Sequence, residues 1–442
     1  MVSSIKASIK TSIPGPRSLA LAERLRRVEC RNTTFLSPEF PIFWERAHGS
    51  NVWDVDGNCF LDFTSGFGVA ALGYTPEFTI EALRDQASIL SHAMGDVHPT
   101  ELKVRLCEKL SELTFESWGV GGGKTILSNS GAEAIEAALK TVWMTTGKTR
   151  ILSFKNSYHG LTCGALNVTG RNEFRSPFQS ALTDITVFLP FPKTTKDFIF
   201  LERKIRIHLA AGRIGAIIVE PILGRGGERI PPDGFLKLLR RCCDEFGVLL
   251  IFDEIYVGWY RTGKRFACDH EGVVPDLICL GKAMTGLFPM GACVGKAEVM
   301  DRWPKSKGEA LHTSTFLGNP LGCRLALAQL EELERTHQSL QIDRKSEILQ
   351  QELEKLALSQ SGVHDPRSRG LLGAIDLVDP QGQPDGAWAA RVMVKALRAG
   401  LILLASGVEG NVLSFTPPLV IEESELKRGF EILNSVITKT DF

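Results

Sequence analysis

The chain has 442 residues, 43% of them hydrophobic and 23% charged, and its 51 basic and 51 acidic side chains cancel. That balance argues against a nucleic-acid or anionic-membrane partner held by net charge, and no stretch reaches the ~20 continuous apolar residues of a membrane span. The length leaves room for about three units of ~150 residues and a large core. Ten scattered cysteines without a Cys-x-x-Cys spacing read as reduced, mostly buried thiols of a cytoplasmic protein.

Residues 1–22 carry Lys6, Lys10 and Arg17, several serines and no acid, a faint likeness to an organelle transit peptide. Pro14-Gly15-Pro16 interrupts any amphipathic helix, so a mobile arm is expected. Residues 36–73 read as a small meander, with Asp56-Gly57 as the turn and 60–63 as the returning strand. Pro76 and Pro99 each open a helix. In the second, Leu102, Leu106, Leu110 and Leu113 make one apolar stripe, which is core. Residues 119–125, Gly-Val-Gly-Gly-Gly-Lys-Thr, look like a phosphate loop. Trp118 stands where that loop needs glycine, and the stretch leads into a strand instead of following one, so it is a connection.

Residues 129–134, Asn-Ser-Gly-Ala-Glu-Ala, open a helix that runs to about 145. Small residues at a helix start let an anion reach its free N–H groups, although Ser130 alone reads as a plain N-cap. A strand at 151–154 ends near Tyr158-His159-Gly160, and another covers 185–189. A helix over 197–211 stops at Gly212, and a strand at 214–219 ends in Glu220-Pro221. A helix over 231–246 stops at Gly247. The apolar run 248–252 shows no alternation, which suits a strand buried on both faces, and it ends at Asp253-Glu254. A short run at 277–280 ends in Gly281-Lys282. Strand–helix alternation at this spacing predicts a parallel, doubly covered sheet, whose ligands sit beyond the carboxyl ends of its strands. Asp253 and Lys282 are therefore expected at one sheet edge, with Glu220 as a further acid.

Beyond Lys282, residues 291–294 read as a strand, followed by His312-Thr313-Ser314-Thr315-Phe316 and Gly318-Asn319-Pro320. Helices at 319–336 and 342–358 lead into a smaller α+β stretch. Its expected elements are a strand at 371–378, a helix at 386–399, strands at 401–404 and 411–415, and a helix at 422–438. No repeats or low-complexity segments occur.

A lysine and a carboxylate at one sheet edge suit pyridoxal phosphate. A lysine holds its aldehyde as a Schiff base, and a carboxylate keeps its ring nitrogen protonated. Alone, Asp253 reads as a turn or cap residue and Lys282 as a solvated strand end. Together, the segments at 252–255 (FDEI), 258–267 (G-x-x-RTGK-x-FA), 275–283 (PDL-x-x-x-GKA) and 288–292 (FPMGA) resemble the signature of the class III pyridoxal-phosphate-dependent aminotransferases, of fold type I in the aspartate aminotransferase superfamily. The resemblance runs from about residue 38 to the last helix.

The resemblance implies an α/β fold: a large domain with a mixed, mostly parallel sheet covered by helices, and a small α+β domain built from both termini. Residues 1–73 would be the arm and part of the small domain, 74–325 the large domain, and 326–442 the rest of the small one. It implies a homodimer with shared active sites and ping-pong transfer of an amino group from an amine or ω-amino acid to pyruvate or 2-oxoglutarate. Lys282 would carry the cofactor and move the proton, and Asp253 would face the ring nitrogen. Ser130, Gly131 and Ala132 would hold the phosphate, with Ala132 in place of a usual threonine. Tyr158, beside His159, would stack on the ring, and Glu220 would lie close to it. Tyr256 stands where many members have glutamine near the ring hydroxyl. Thr315 would reach the phosphate bound in the neighbouring subunit. No metal is implied.

Two positions depart from the family pattern in ways that bear on substrate. Ser414 stands where many members place an arginine for the substrate carboxylate, and Arg225 where they place the paired glutamate. Arg225 is then either a relocated carboxylate clamp or a solvated side chain. Two other reaction classes share the scaffold and the lysine: an amino-acid racemase, epimerase or aminomutase, and a decarboxylase of dialkylated amino acids.

Overall fold

The computed structural model describes residues 7–440. The chain divides into two compact units, one of residues 77–337 and one that joins the chain up to Pro76 with residues 338 onward.

The larger unit is built on a seven-stranded sheet, counted among the described residues. Its strand order is Gly123–Ser128, Gly291–Lys296, Leu277–Leu280, Leu249–Asp253, Ile214–Val219, Arg150–Phe154, Thr186–Leu189. Gly291–Lys296 pairs antiparallel with both neighbours, and the other pairings are parallel. Six strands therefore run one way, as the alternation of strands and helices requires. Ile214–Val219 and Leu277–Leu280 are buried at every residue, the signature of a sheet covered on both faces. Helix Gly131–Thr146 buries Ala134, Ile135, Ala137, Ala138, Leu139 and Val142 in one core with Ile151, Ala216, Ile218 and Ile251 of the sheet. Its alanines allow a close approach, while each fully buried Ile, Leu or Val contributes about 1.5–3 kcal/mol. Of the expected stripe, Leu106, Leu110 and Leu113 are buried.

The smaller unit holds two four-stranded sheets among the described residues. In one, Trp44–His48, Asn51–Asp54 and Cys59–Asp62 form the meander, and Leu401–Ile402 pairs parallel with Cys59–Asp62. The other comprises Val363–Arg369, Leu372–Leu377, Val412–Phe415 and Leu404–Ser406, all antiparallel.

Four expectations need correction. The N-terminal stretch is not a loose arm over its described part. Ser8 bridges to Cys59, and Pro16 begins a helix, Pro16–Val28, instead of breaking one, because proline suits a first helical position. Asp56 accepts from the Arg17 and Ser18 N–H groups (2.7 and 2.9 Å) and from the Ser18 hydroxyl (2.7 Å), capping that helix from a distant turn. Lys6 lies outside the described residues. The run 401–404 is two strands in different sheets, split at Leu403. The helix expected from 231 begins at Phe235, after Gly234 at φ +93°. The boundary expected at 325/326 falls inside helix Pro320–Thr336. That helix buries Leu325 and Ala328 with Ala82 of helix Glu77–Ile89, so the division comes after it.

All ten cysteines are free, and seven of them are buried. No helix among the described residues is long and apolar enough to cross a membrane.

Candidate active site

The parallel strands bring their carboxyl ends to one edge of the large unit's sheet, and each end delivers a polar group. Leu249–Asp253 delivers Asp253, which is buried. Its Oδ2 accepts from His159 Nδ1 at 2.8 Å, and its Oδ1 accepts from the Ile255 N–H at 3.1 Å. His159, delivered after Arg150–Phe154, is also buried, and its Nε2 has no partner among the described residues. The imidazole thus fixes the carboxylate while a polar atom stays open, unusual where buried polar atoms are normally paired.

Ile214–Val219 delivers Glu220. Its Oε1 accepts from the Tyr158 N–H (2.7 Å) and its Oε2 from the Gly224 N–H (2.9 Å), so one carboxyl ties two loops together. Burial pushes it up to about 7, and the nearby Asp253 charge adds to the rise against the opposing His159 and the two N–H bonds. Gly224 is required by proximity: a methyl there would lie 2.7 Å from Tyr256 Cδ1.

Lys282 follows Leu277–Leu280, with its own backbone in the left-handed region at φ +45°. A non-glycine residue held there is a strain that surrounding structure must impose, and such residues concentrate at functional sites. Its Nζ sits over the Tyr256 ring, 4.9 Å from the centroid, and makes no hydrogen bond or ion pair among the described residues. Desolvation holds the amine below the usual lysine value; Asp253 and Glu220 oppose that shift and the Arg225 charge reinforces it. A lysine so placed gives up its proton more readily and becomes a nucleophile.

Ser130 and Gly131 follow Gly123–Ser128. Ser130 Oγ accepts from the Glu133 N–H (3.2 Å) and Ser130 O from the Ala134 N–H (3.1 Å). The Gly131 and Ala132 N–H groups are left without helical partners at the start of a sixteen-residue helix. Gly131 matters here, because a Cβ would come within 2.8 Å of Ile255 Cδ1, next to Asp253. Ala132 packs against Gly160, where an added Cβ would lie 2.6 Å from its own.

Thr315 is exposed and has no hydrogen bond among the described residues. The preceding Ser314 accepts from Asn129 Nδ2 of the same chain at 2.8 Å, which draws this stretch toward the helix start. Arg225 is exposed, with its guanidinium over the rings of Tyr158 (4.8 Å) and Phe174 (5.2 Å). Ser414 lies in the smaller unit on Val412–Phe415, buried, and donates to Ser406 Oγ at 2.7 Å. Phe174, inside the short helix Asn172–Arg175, and Arg171, at its N-cap, lie against Arg225 and carried no signal in the sequence, since the stretch is of ordinary composition.

The chemistry of this set can be tested against the expected cofactor. A phosphorylated pyridine aldehyde requires an unpaired amine, an anchored carboxylate for the ring nitrogen and an anion cradle. Lys282, Asp253 on His159, and the N–H groups of Gly131 and Ala132 meet those requirements in one unit at one sheet edge. The residues fit the group.

Comparison with known proteins agrees. A family model described as aminotransferase class-III matches residues 36–437. A 4-aminobutyrate aminotransferase from Mycobacterium leprae is 32% identical over 442 residues, 97% of each chain. An alanine/serine racemase from Pyrococcus horikoshii is 30% identical over 97% of this chain and 92% of its own. An amine transaminase from an uncultivated Pseudomonas species, solved with pyridoxal phosphate bound, superposes with a TM-score of 0.85 at 27% identity, covering 94% of this chain and 99% of that one. The open amine, the anchored carboxylate and a match over nearly the whole length lead to one conclusion: the chain belongs to the class-III aminotransferases, which use pyridoxal phosphate to move an amino group from a donor to an oxo acid.

Proposed function

We propose that this enzyme takes its amino group from an amine or ω-amino acid and passes it to a small 2-oxo acid such as pyruvate or 2-oxoglutarate, with Lys282 and Asp253 at the reacting centre. The observation that carries the reading is the Lys282 amine, partnerless and desolvated in the unit that anchors Asp253 on His159. The cofactor, when bound, supplies an electron sink for the pair released as a substrate C–H bond breaks. Lys282 would hold the cofactor through its Nζ, and the same amine would move the proton released by the substrate. Asp253, held rigid by His159 and the Ile255 N–H, keeps the ring nitrogen protonated. Gly131 and Ala132 bind the phosphate through backbone N–H groups, with Ser130 fixing the helix start. Tyr158, Tyr256 and Glu220 would line the site of the cofactor ring. Thr315 serves the phosphate site of a second copy, so the working form is a homodimer, located in the cytoplasm.

The test is Lys282→Ala. It is expected to lose both turnover and the borohydride-reducible attachment of the cofactor; attachment through a different lysine would overturn the assignment. A panel of donors against pyruvate and 2-oxoglutarate, read by cofactor absorbance, identifies the substrates. One observation favours a second reading, the 30% identity to an alanine/serine racemase over 97% of the chain. An amino-acid isomerase would interconvert enantiomers without forming a stoichiometric oxo-acid product, and that product separates the two.

A further inference from the structure

We infer that Arg225 is the residue that recognises the carboxylate of the 2-oxo acid, so that the acceptor's specificity is set in the large unit. The inference rests on the reading of Lys282 as the reacting amine and names the substrate group that lies beside it. Three observations carry it.

First, the Arg225 backbone is fixed from both sides. The N–H of the preceding Gly224 donates to Glu220 Oε2 at 2.9 Å, and the carbonyl of Arg225 accepts from Arg171 Nη1. The same Glu220 holds the Tyr158 N–H at 2.7 Å, so the arginine and the ring beneath it share one buried anchor. Second, the guanidinium lies over two rings at once, Tyr158 at 4.8 Å and Phe174 at 5.2 Å, and those rings meet edge to face at 5.5 Å. Stacking engages the face of the guanidinium and leaves the five N–H donors around its edge free for a planar acceptor. Third, those donors are unused: Arg225 makes no side-chain hydrogen bond or ion pair among the described residues. Its neighbour Arg171 pairs with Glu173, and Arg240 and Arg265 pair with Asp276 and Glu334. An ordered cation with an open fork and no internal acid is built for an external carboxylate, which it holds bidentately. The adjoining Gly224 lies against Tyr256, the ring 4.9 Å from the Lys282 amine, which puts the arginine's loop on the side of the sheet edge that carries the amine.

No other predicted substrate residue supplies that charge. Ser414, at the place where an arginine was expected, is a buried hydroxyl bonded to Ser406.

The test compares wild-type holoenzyme with Arg225→Ala and Arg225→Lys. Half-reactions are followed by cofactor absorbance, with pyruvate on one side and an amine lacking any carboxylate on the other. Binding of propionate, an unreactive carboxylate, is measured separately by calorimetry. A charge-assisted bond of this kind corresponds to about ten- to hundredfold in affinity. Arg225→Ala is expected to lose that factor in propionate binding and in apparent specificity for pyruvate, and to impair the amine half-reaction clearly less than the pyruvate one. Arg225→Lys, a point charge without the fork, should recover part of it. Phe174→Leu should raise the KM for pyruvate and leave kcat nearly unchanged, as expected of a positioning residue. Equal impairment of both half-reactions, or unchanged propionate binding in Arg225→Ala, overturns the inference. Should wild-type protein carry out neither half-reaction, the reading of Lys282 fails, and propionate binding still decides Arg225.

Discussion

The two edges of the seven-stranded sheet each bury a carboxylate, and they treat it in opposite ways. At the amino edge, Asp276 is 6% exposed, and at the carboxyl edge Glu220 is 5% exposed. Asp276 receives Arg240 Nη1 at 2.9 Å, Lys296 Nζ at 2.7 Å and the Leu250 N–H at 2.8 Å. Burial works against its charge, yet the two cations and the N–H hold it below the ordinary aspartate value. Glu220 receives two N–H groups and, among the described residues, no cation, and burial pushes it up to about 7. Similar burial with opposite compensation separates a carboxylate that holds strands together from one poised near neutrality. The carboxyl edge also carries the open His159 Nε2, the left-handed Lys282 and a desolvated amine. Unpaired polar groups and strain gather where chemistry occurs, and the compensated network lies at the other end of the same strands.

The largest expected effect at the amino edge is on stability. Asp276→Ala strands two cations and a strand N–H, and removing one partner from a buried ion pair costs about 3–5 kcal/mol. Denaturant unfolding should show that loss, with turnover per folded molecule kept. Lost turnover in protein of normal stability would erase the distinction between the edges.

At the carboxyl edge the larger effect is on rate. Asp253→Asn preserves shape but removes the charge held by His159, and it should cut turnover by at least about 100-fold, the scale of one lost electrostatic stabiliser. Cofactor binding should be largely kept. Near-normal turnover would remove Asp253 from the mechanism.

The smallest effect is one of sign with pH. In the cofactor-free protein, folded Glu220 keeps its proton up to about 7, whereas the unfolded chain loses it near the ordinary value of 4.5. The stability it contributes is full below the ordinary value and is lost as pH rises through about 7. Asp276 behaves in reverse, contributing above its ordinary value of 3.8 and losing that contribution only as acid protonates the folded state. The destabilisation caused by Glu220→Gln should therefore shrink as pH rises from 4.5 to 7. A penalty that does not change over this window would show that Glu220 is ionised throughout.

Much of this was legible in one dimension. Buried parallel strands announce themselves as short apolar runs without alternation, so 214–219 and 277–280 were read with the boundaries observed. Their carboxyl ends then place Glu220, Asp253 and Lys282 on one edge without any coordinates. The N-terminal helix was missed because its cap comes from Asp56, about forty residues away in the chain. The split at Leu403 was missed because an apolar run does not say which sheet its residues join.

By itself, then, the sequence determined the layer order and the family and named the candidate reacting groups, since strand burial and signature spacing are local properties of the chain. Only the tertiary structure decided which charges are matched. His159 meets Asp253, Arg240 and Lys296 meet Asp276, and Arg225 meets two rings and no acid among the described residues. Charge compensation depends on distance in space across strands and loops far apart in the chain, and at these depths it sets the protonation state of each group.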